Sequence, residues 1–87
     1  MKIGFDEAKS ERNRRERGFG FELAYQFDFE TAVIVPDDRC NYGEERSRAF
    51  GRIVGLPFCV VFTMRSGVLR VISMRRVHIK EAKAHGI

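Results

Sequence analysis

The sequence predicts an α+β domain: N-terminal helices, a mostly antiparallel curved sheet and a short C-terminal helix. Three observations carry this. A polar segment from Asp6 to Arg17 has helix signals at both ends. Two β-rich runs, Phe58–Met64 and Val68–Val77, flank Ser66-Gly67. Pro36 and Gly55-Leu56-Pro57 break the remaining apolar runs at strand length. At 87 residues the chain predicts one domain, 1–87, with a real but small core.

Each element has its own grounds. Asp6 is a good N-cap, Glu7 suits the first turn, and Gly18 is a suitable stop. Ala8 is the only apolar residue inside this helix, so it has almost no stripe to bury. It needs support from Phe5 and Phe19, or from a partner. Phe21 to Phe27 reads as a second short helix, with Leu23, Ala24 and Phe27 inside. Thr31 to Val35 reads as a strand stopped by Pro36-Asp37-Asp38, and Asp37 to Gly43 as a polar loop. Glu45 to Ile53 reads as a strand of mixed character, and Gly55-Leu56-Pro57 as a turn. Phe58–Met64 and Val68–Val77 form a hairpin about Ser66-Gly67. His78 to His85 reads as the terminal helix.

A two-residue turn pairs Arg65 with Val68, Met64 with Leu69, and Thr63 with Arg70. One face then carries Phe58, Val60, Phe62, Met64, Leu69 and Val71, and is the expected core. The other carries Thr63, Arg65, Arg70 and Arg76 among smaller apolar groups. Ser73 and Arg75 fall on the core face in this register unless a bulge turns Arg75 outward. Most of the phenylalanines belong to the core, since no Trp is present to fill it. Tyr42, in the polar loop, is the better candidate for stacking on a base.

The net charge is +4 and the sequence pI about 9.5. Its distribution is uneven. Lys9 to Arg17 holds five basic residues against two acids, Phe21 to Asp38 holds acids and no Lys or Arg, and after Glu45 the only acid is Glu81. This favours an acidic partner. Exposed arginines can merely solvate a sheet or guard its edge. Arg65, Arg70, Arg75 and Arg76 around one hairpin, with a second cluster at Arg12, Arg14 and Arg15, favour a phosphate-binding surface. No run is apolar enough to span a membrane, and no apolar run follows Met1–Phe5, so a cytoplasmic protein is expected. Cys40 and Cys59 read as two reduced thiols. No pair of His or Cys has metal-ligand spacing, so no metal and no cofactor are expected.

The phrases "FDEAKSERN", "GEERSRAFG", "VVFTMRSG" and "RVISMRRV" stand in this order and spacing, and the chain resembles the BrnT family from Phe5 to about His85. The family pattern Arg-x-Ile-Ser-x-Arg-Arg is met by Arg70, Ile72, Ser73, Arg75 and Arg76, with Thr63 and Arg65 before it and Glu81 after it. Glu7, Ala8, Lys9 and Asn13 match the early motif. The resemblance implies a toxin of a type II toxin–antitoxin system. It also implies a RelE-like ribonuclease fold, with helices on one face of the sheet and RNA on the other. The implied partner is a DNA-binding, BrnA-like antitoxin in a hetero-oligomer. Two departures stand out. The family's Lys-His-Gly is Glu16-Arg17-Gly18 here, and its usual C-terminal Tyr is His85.

Metal-free RNA cleavage needs a base for the ribose 2′-hydroxyl, cations for the phosphorane and an acid for the leaving oxygen. The catalytic candidates are Lys9, Arg65, Arg70, Arg76 and His78, with His78 first for acid–base work. His85, near a terminus that can fray, and Glu22 come after it, as does Lys9 in its setting of other cations. The RNA-binding candidates are Arg17, Thr63, Ser73 and Arg75. The alternative function is a weak or inactive RNA- or partner-binding module derived from such a toxin. A DNA-binding repressor has no helix–turn–helix pattern to support it.

Overall fold

Asp6 begins the first helix as the sequence predicts. In the computed structural model, which describes residues 1–39 and 41–87, Asp6 Oδ1 accepts from the Ala8 and Lys9 N–H groups at 2.9 and 3.1 Å. The helix, α1, spans Glu7–Arg17, and Gly18 ends it in the left-handed region at φ 87°.

The missing apolar stripe has a polar substitute. Ser10 and Asn13 are the buried residues of α1. The Ser10 hydroxyl accepts from the Phe21 N–H at 2.8 Å, and Asn13 Nδ2 donates to the Phe19 carbonyl at 2.9 Å. Arg14 reaches Glu22 at 2.6 Å, and Arg17 Nη1 donates to the Met74 carbonyl at 2.8 Å. Ser10, Asn13, Arg14 and Arg17 follow helical spacing along one face. Phe5 and Phe19 also pack against the core beside it. Ser10→Ala should therefore strand a buried N–H and cost about 1–3 kcal/mol. Urea unfolding tests this; an unchanged midpoint would mean that α1 is held by something else.

Phe21–Gln26 is a 3₁₀ helix. The strands are β1 (Lys2–Phe5), β2 (Val33–Pro36), β3 (Ser47–Ile53), β4 (Leu56–Arg65) and β5 (Val68–Arg76), and α2 (Ile79–Ala84) follows. They form one open sheet in the order β1-β5-β4-β3-β2. β1 is parallel to β5, and the other neighbours are antiparallel. β1 was not anticipated. Pro36 is tolerated because β2 lies at the sheet edge. The turn expected at Gly55-Leu56-Pro57 is the two-residue turn Val54-Gly55, with φ 47° and 81°, and β4 begins at Leu56.

The β4–β5 hairpin keeps the expected register at its tip, Arg65 with Val68, Met64 with Leu69 and Thr63 with Arg70. Phe58, Val60, Phe62, Leu69 and Val71 are buried, as expected, whereas Met64 is exposed at the tip. Further along, a bulge makes Phe62 face Val71 while Val61 faces Ser73, leaving Ile72 over. This moves four positions. Ser73 and Arg75 leave the core face, Met74 enters it fully buried, and Arg76 comes opposite Phe58 on the side of α1.

Both faces bury apolar groups. The face under α1 and the 3₁₀ helix carries the main core, with Phe27 and Phe29 at 4.6 Å between centroids and Phe19 and Phe58 at 5.4 Å. The other face buries Phe50, Cys59 and Val61 against Val77, Ala82 and Ile87 of the C-terminal segment. The resemblance implies helices on one face and RNA on the other; α1 and the 3₁₀ helix lie on one face, and α2 covers part of the second. The reason is chemical, since Phe50, Cys59, Val61 and Ile72 make an apolar patch that needs cover. Cys59 is a free thiol; Cys40 lies outside the described residues.

Candidate nucleic-acid interface

β1 pairs with β5 only from Val68 to Val71. Beyond that point α1 runs beside the edge of β5. Lys9, Arg12, Asn13, Glu16 and Arg17 line a groove there with Phe21, Ile72 and Ser73. Their positions follow the helical period, so one turn after another presents a polar group to the same trough. A second groove is lined by Arg17, Phe19, Arg75 and Arg76. Arg17 belongs to both, and its bond to the Met74 carbonyl fixes it between them. The bulge supplies the other half of the arrangement, because it brings Arg76 round to this side.

Lys9, Arg17, Ser73, Arg75 and Arg76 are therefore brought together along one continuous surface. Arg12 and Glu16 join them. Their signal in the sequence was the three- and four-residue spacing from Lys9. Arg75 is not unopposed. Its Nη1 and Nη2 donate to the two oxygens of Glu81 at 3.0 and 2.7 Å. These bonds hold the Glu81 carboxyl below the usual range and push the Arg75 guanidinium above its own.

Thr63 and Arg65 go elsewhere. They line a depression with Glu44, Glu45, Ser47, Phe62 and Met64. The buried Thr63 hydroxyl donates to the Glu45 carbonyl at 2.7 Å, and Arg65 pairs with Glu44 at 2.7 Å. Glu44 also holds Arg46 at 3.0 Å, and the two arginines lower its carboxyl pKa, Arg65 most. Arg70 sits between Gly4 and Thr63 in the sheet and is half-buried. It helps to lower the pKa of Asp6, after the larger effects of the Lys9 and Ala8 N–H bonds and of Lys9.

Of the acid–base candidates, Glu22 is engaged by Arg14 and by the Ser10 hydroxyl at 3.4 Å. The Arg14 bond leads in lowering its pKa, which makes it a weak base. His78 is the N-cap of α2, exposed and without a side-chain capping bond. His85 is packed down at the end of α2. Its backbone N–H reaches the Glu81 and Ala82 carbonyls, and its ring stacks on Phe50 at 3.7 Å and 7°. Both histidines lie within electrostatic reach of Glu81. Tyr42, the expected stacking residue, has the Arg46 guanidinium over its ring at 4.1 Å. Among the described residues, no three of His, Cys, Asp or Glu converge as a metal-ligand set. No helix among them is long and apolar enough to cross a membrane.

Comparison with known families matches residues 5–81 to a model described as the ribonuclease toxin, BrnT, of type II toxin–antitoxin systems. The match runs from the last residue of β1 to the first residues of α2 and stops short of His85. No curated protein matches the chain.

Proposed function

The chain belongs to the BrnT family of ribonuclease toxins of type II toxin–antitoxin systems, and from that premise we propose a metal-independent endoribonuclease that stops translation by cutting RNA. A cognate DNA-binding, BrnA-like antitoxin neutralises it. The observation that carries this reading is the pair of cationic grooves joined at Arg17. They offer Lys9, Arg12, Arg17 and Arg76 to successive phosphates of a single strand. The open sheet flanked by short helices is compatible with RelE-like descent.

Besides these cations the reaction needs an acid–base group. The ribose O2′ bonds to the adjacent phosphorus and the P–O5′ bond breaks, leaving a 2′,3′-cyclic phosphate and a 5′-hydroxyl. One residue takes the 2′ proton, and one gives a proton to O5′. His78 is the proposed acid–base group, while Lys9 and Arg76 stabilise the phosphorane. Arg70 and Arg65, set apart from the grooves, are proposed for the flanking strand or the antitoxin.

One observation favours the alternative, an inactive binding module. Arg17 stands in place of the family's His, and its guanidinium is bound to the Met74 carbonyl. It holds an edge and cannot transfer protons near neutral pH. Expression in a bacterial host, with and without the antitoxin, separates the two. Growth arrest relieved by the antitoxin, with purified protein cutting single-stranded RNA in EDTA to 5′-hydroxyl ends, is the expected result. RNA binding with neither arrest nor cleavage would establish the alternative.

A further inference from the structure

The cations that line the groove beside α1 can hold a phosphate, but none of them can take a proton while charged. Asn13, in the same groove, is engaged by the Phe19 carbonyl. His78 lies beyond β5 and lines neither cationic groove. Glu16 is the one carboxylate among the residues that line the groove.

Its position is unfavourable in other respects. Glu16 lies in the last turn of α1, where the exposed helix carbonyls disfavour an acid and suit its neighbours Arg14, Arg15 and Arg17. It also repels any RNA strand that enters the groove. Other glutamates are tied down, Glu11 and Glu22 by Arg14, Glu44 by Arg46 and Arg65, and Glu81 by Arg75. Glu16 is exposed, and among the described residues its carboxylate has no hydrogen bond or ion pair, even with Arg12 four residues before it. An exposed glutamate is ordinarily a solvated charge. This one stands in a cationic trough, beside Arg17 and facing the β5 edge at Ile72 and Ser73. An unengaged carboxylate there can accept a hydrogen bond from a ribose 2′-hydroxyl.

We propose that Glu16 is the general base that takes the ribose 2′ proton. Its carboxylate accepts the proton as O2′ bonds to phosphorus, while Lys9 and Arg76 hold the phosphorane. The P–O5′ bond breaks as His78, two residues past Arg76, gives a proton to O5′. Exchange with water then restores both groups. The proposal rests on the ribonuclease reading and adds to it the identity of the base.

The test is single-turnover cleavage of a mixed-sequence single-stranded RNA in EDTA, followed against enzyme concentration. This separates the limiting rate from the half-saturating concentration. Glu16→Gln should lower the limiting rate by about 100-fold or more. Half-saturation should hold or improve, because a negative charge has left the groove. Binding of a 2′-deoxy strand, which cannot be cut, should likewise hold or tighten. Glu16→Asp, with its carboxylate on a shorter arm, should recover part of the rate. Glu11→Gln, whose parent carboxylate pairs with Arg14, should cut like the parent. Melting temperatures of the Glu16 variants should match the parent's, since the side chain is exposed. If the parent cuts and Glu16→Gln cuts within about threefold of it, the base fails and the ribonuclease reading stands. The same holds if saturating enzyme restores the rate of the variant. A clear drop in the melting temperature of Glu16→Gln would make Glu16 a structural residue and overturn the proposal. A parent that cuts nothing sinks the ribonuclease reading, and the base falls with it.

Discussion

Arg76→Ala is expected to lower single-turnover RNA cleavage by about 100-fold while leaving RNA affinity nearly intact. The bulge makes this residue special. It turns Arg76 to the side of α1, where it shares a groove with Arg17. A guanidinium carried by a paired strand needs little rearrangement when charge develops on the phosphorane, and that preorganisation is what accelerates the step. Arg75, held at both nitrogens by Glu81, should behave differently. Arg75→Ala should mainly weaken binding and its salt dependence. If Arg76→Ala instead weakens binding at an unchanged cleavage rate, its role is adhesive. If neither variant departs from the parent, the grooves are only a solvated surface.

Phe50→Ala should produce the largest loss of stability, about 3–5 kcal/mol. Small domains have only ~5–15 kcal/mol in total, so the variant is expected to be partly unfolded at room temperature. Phe50 is completely buried between β4 and the C-terminal segment, and His85 rests on its ring. Removing it leaves a cavity and deprives α2 of its main support. Urea unfolding, followed by far-ultraviolet circular dichroism, measures the effect. Met64→Ala is the comparison, since that side chain is exposed at the hairpin tip and should change stability by less than about 0.5 kcal/mol. Equal losses for the two would mean that the α2 face is not a second core.

Local signals were the legible part of the fold. Asp6 and Gly18 bounded α1 because caps are written in one or two residues, and Ser66-Gly67 set the hairpin register for the same reason. Non-local facts were not legible. β1 is a short run whose strand character comes only from the edge of β5 that it meets. The bulge at Ile72 has no glycine or other local mark, and it decides which way Ser73, Arg75 and Arg76 point. The candidate site followed the same division. Lys9, Arg17, Ser73, Arg75 and Arg76 gather along one surface, whereas Thr63 and Arg65 are engaged by Glu45 and Glu44. Those acids precede β3, and sequence distance hid the contact.

The parallel pairing of β1 with β5 bears on when the cationic grooves can form. Lys2 through Phe5 meet Val68 through Val71, so β1 waits for β5, the last of the five strands of this sheet to be made. Contacts this distant in the chain form late, after the entropy of closing the intervening loop has been overcome. Arg17 is in the same position, since the Met74 carbonyl that anchors it belongs to that final strand. A growing chain thus exposes Lys9 and Arg12 before the grooves around Arg17 are arranged. On the proposed reading, that delay would let an antitoxin meet the chain before its grooves are complete.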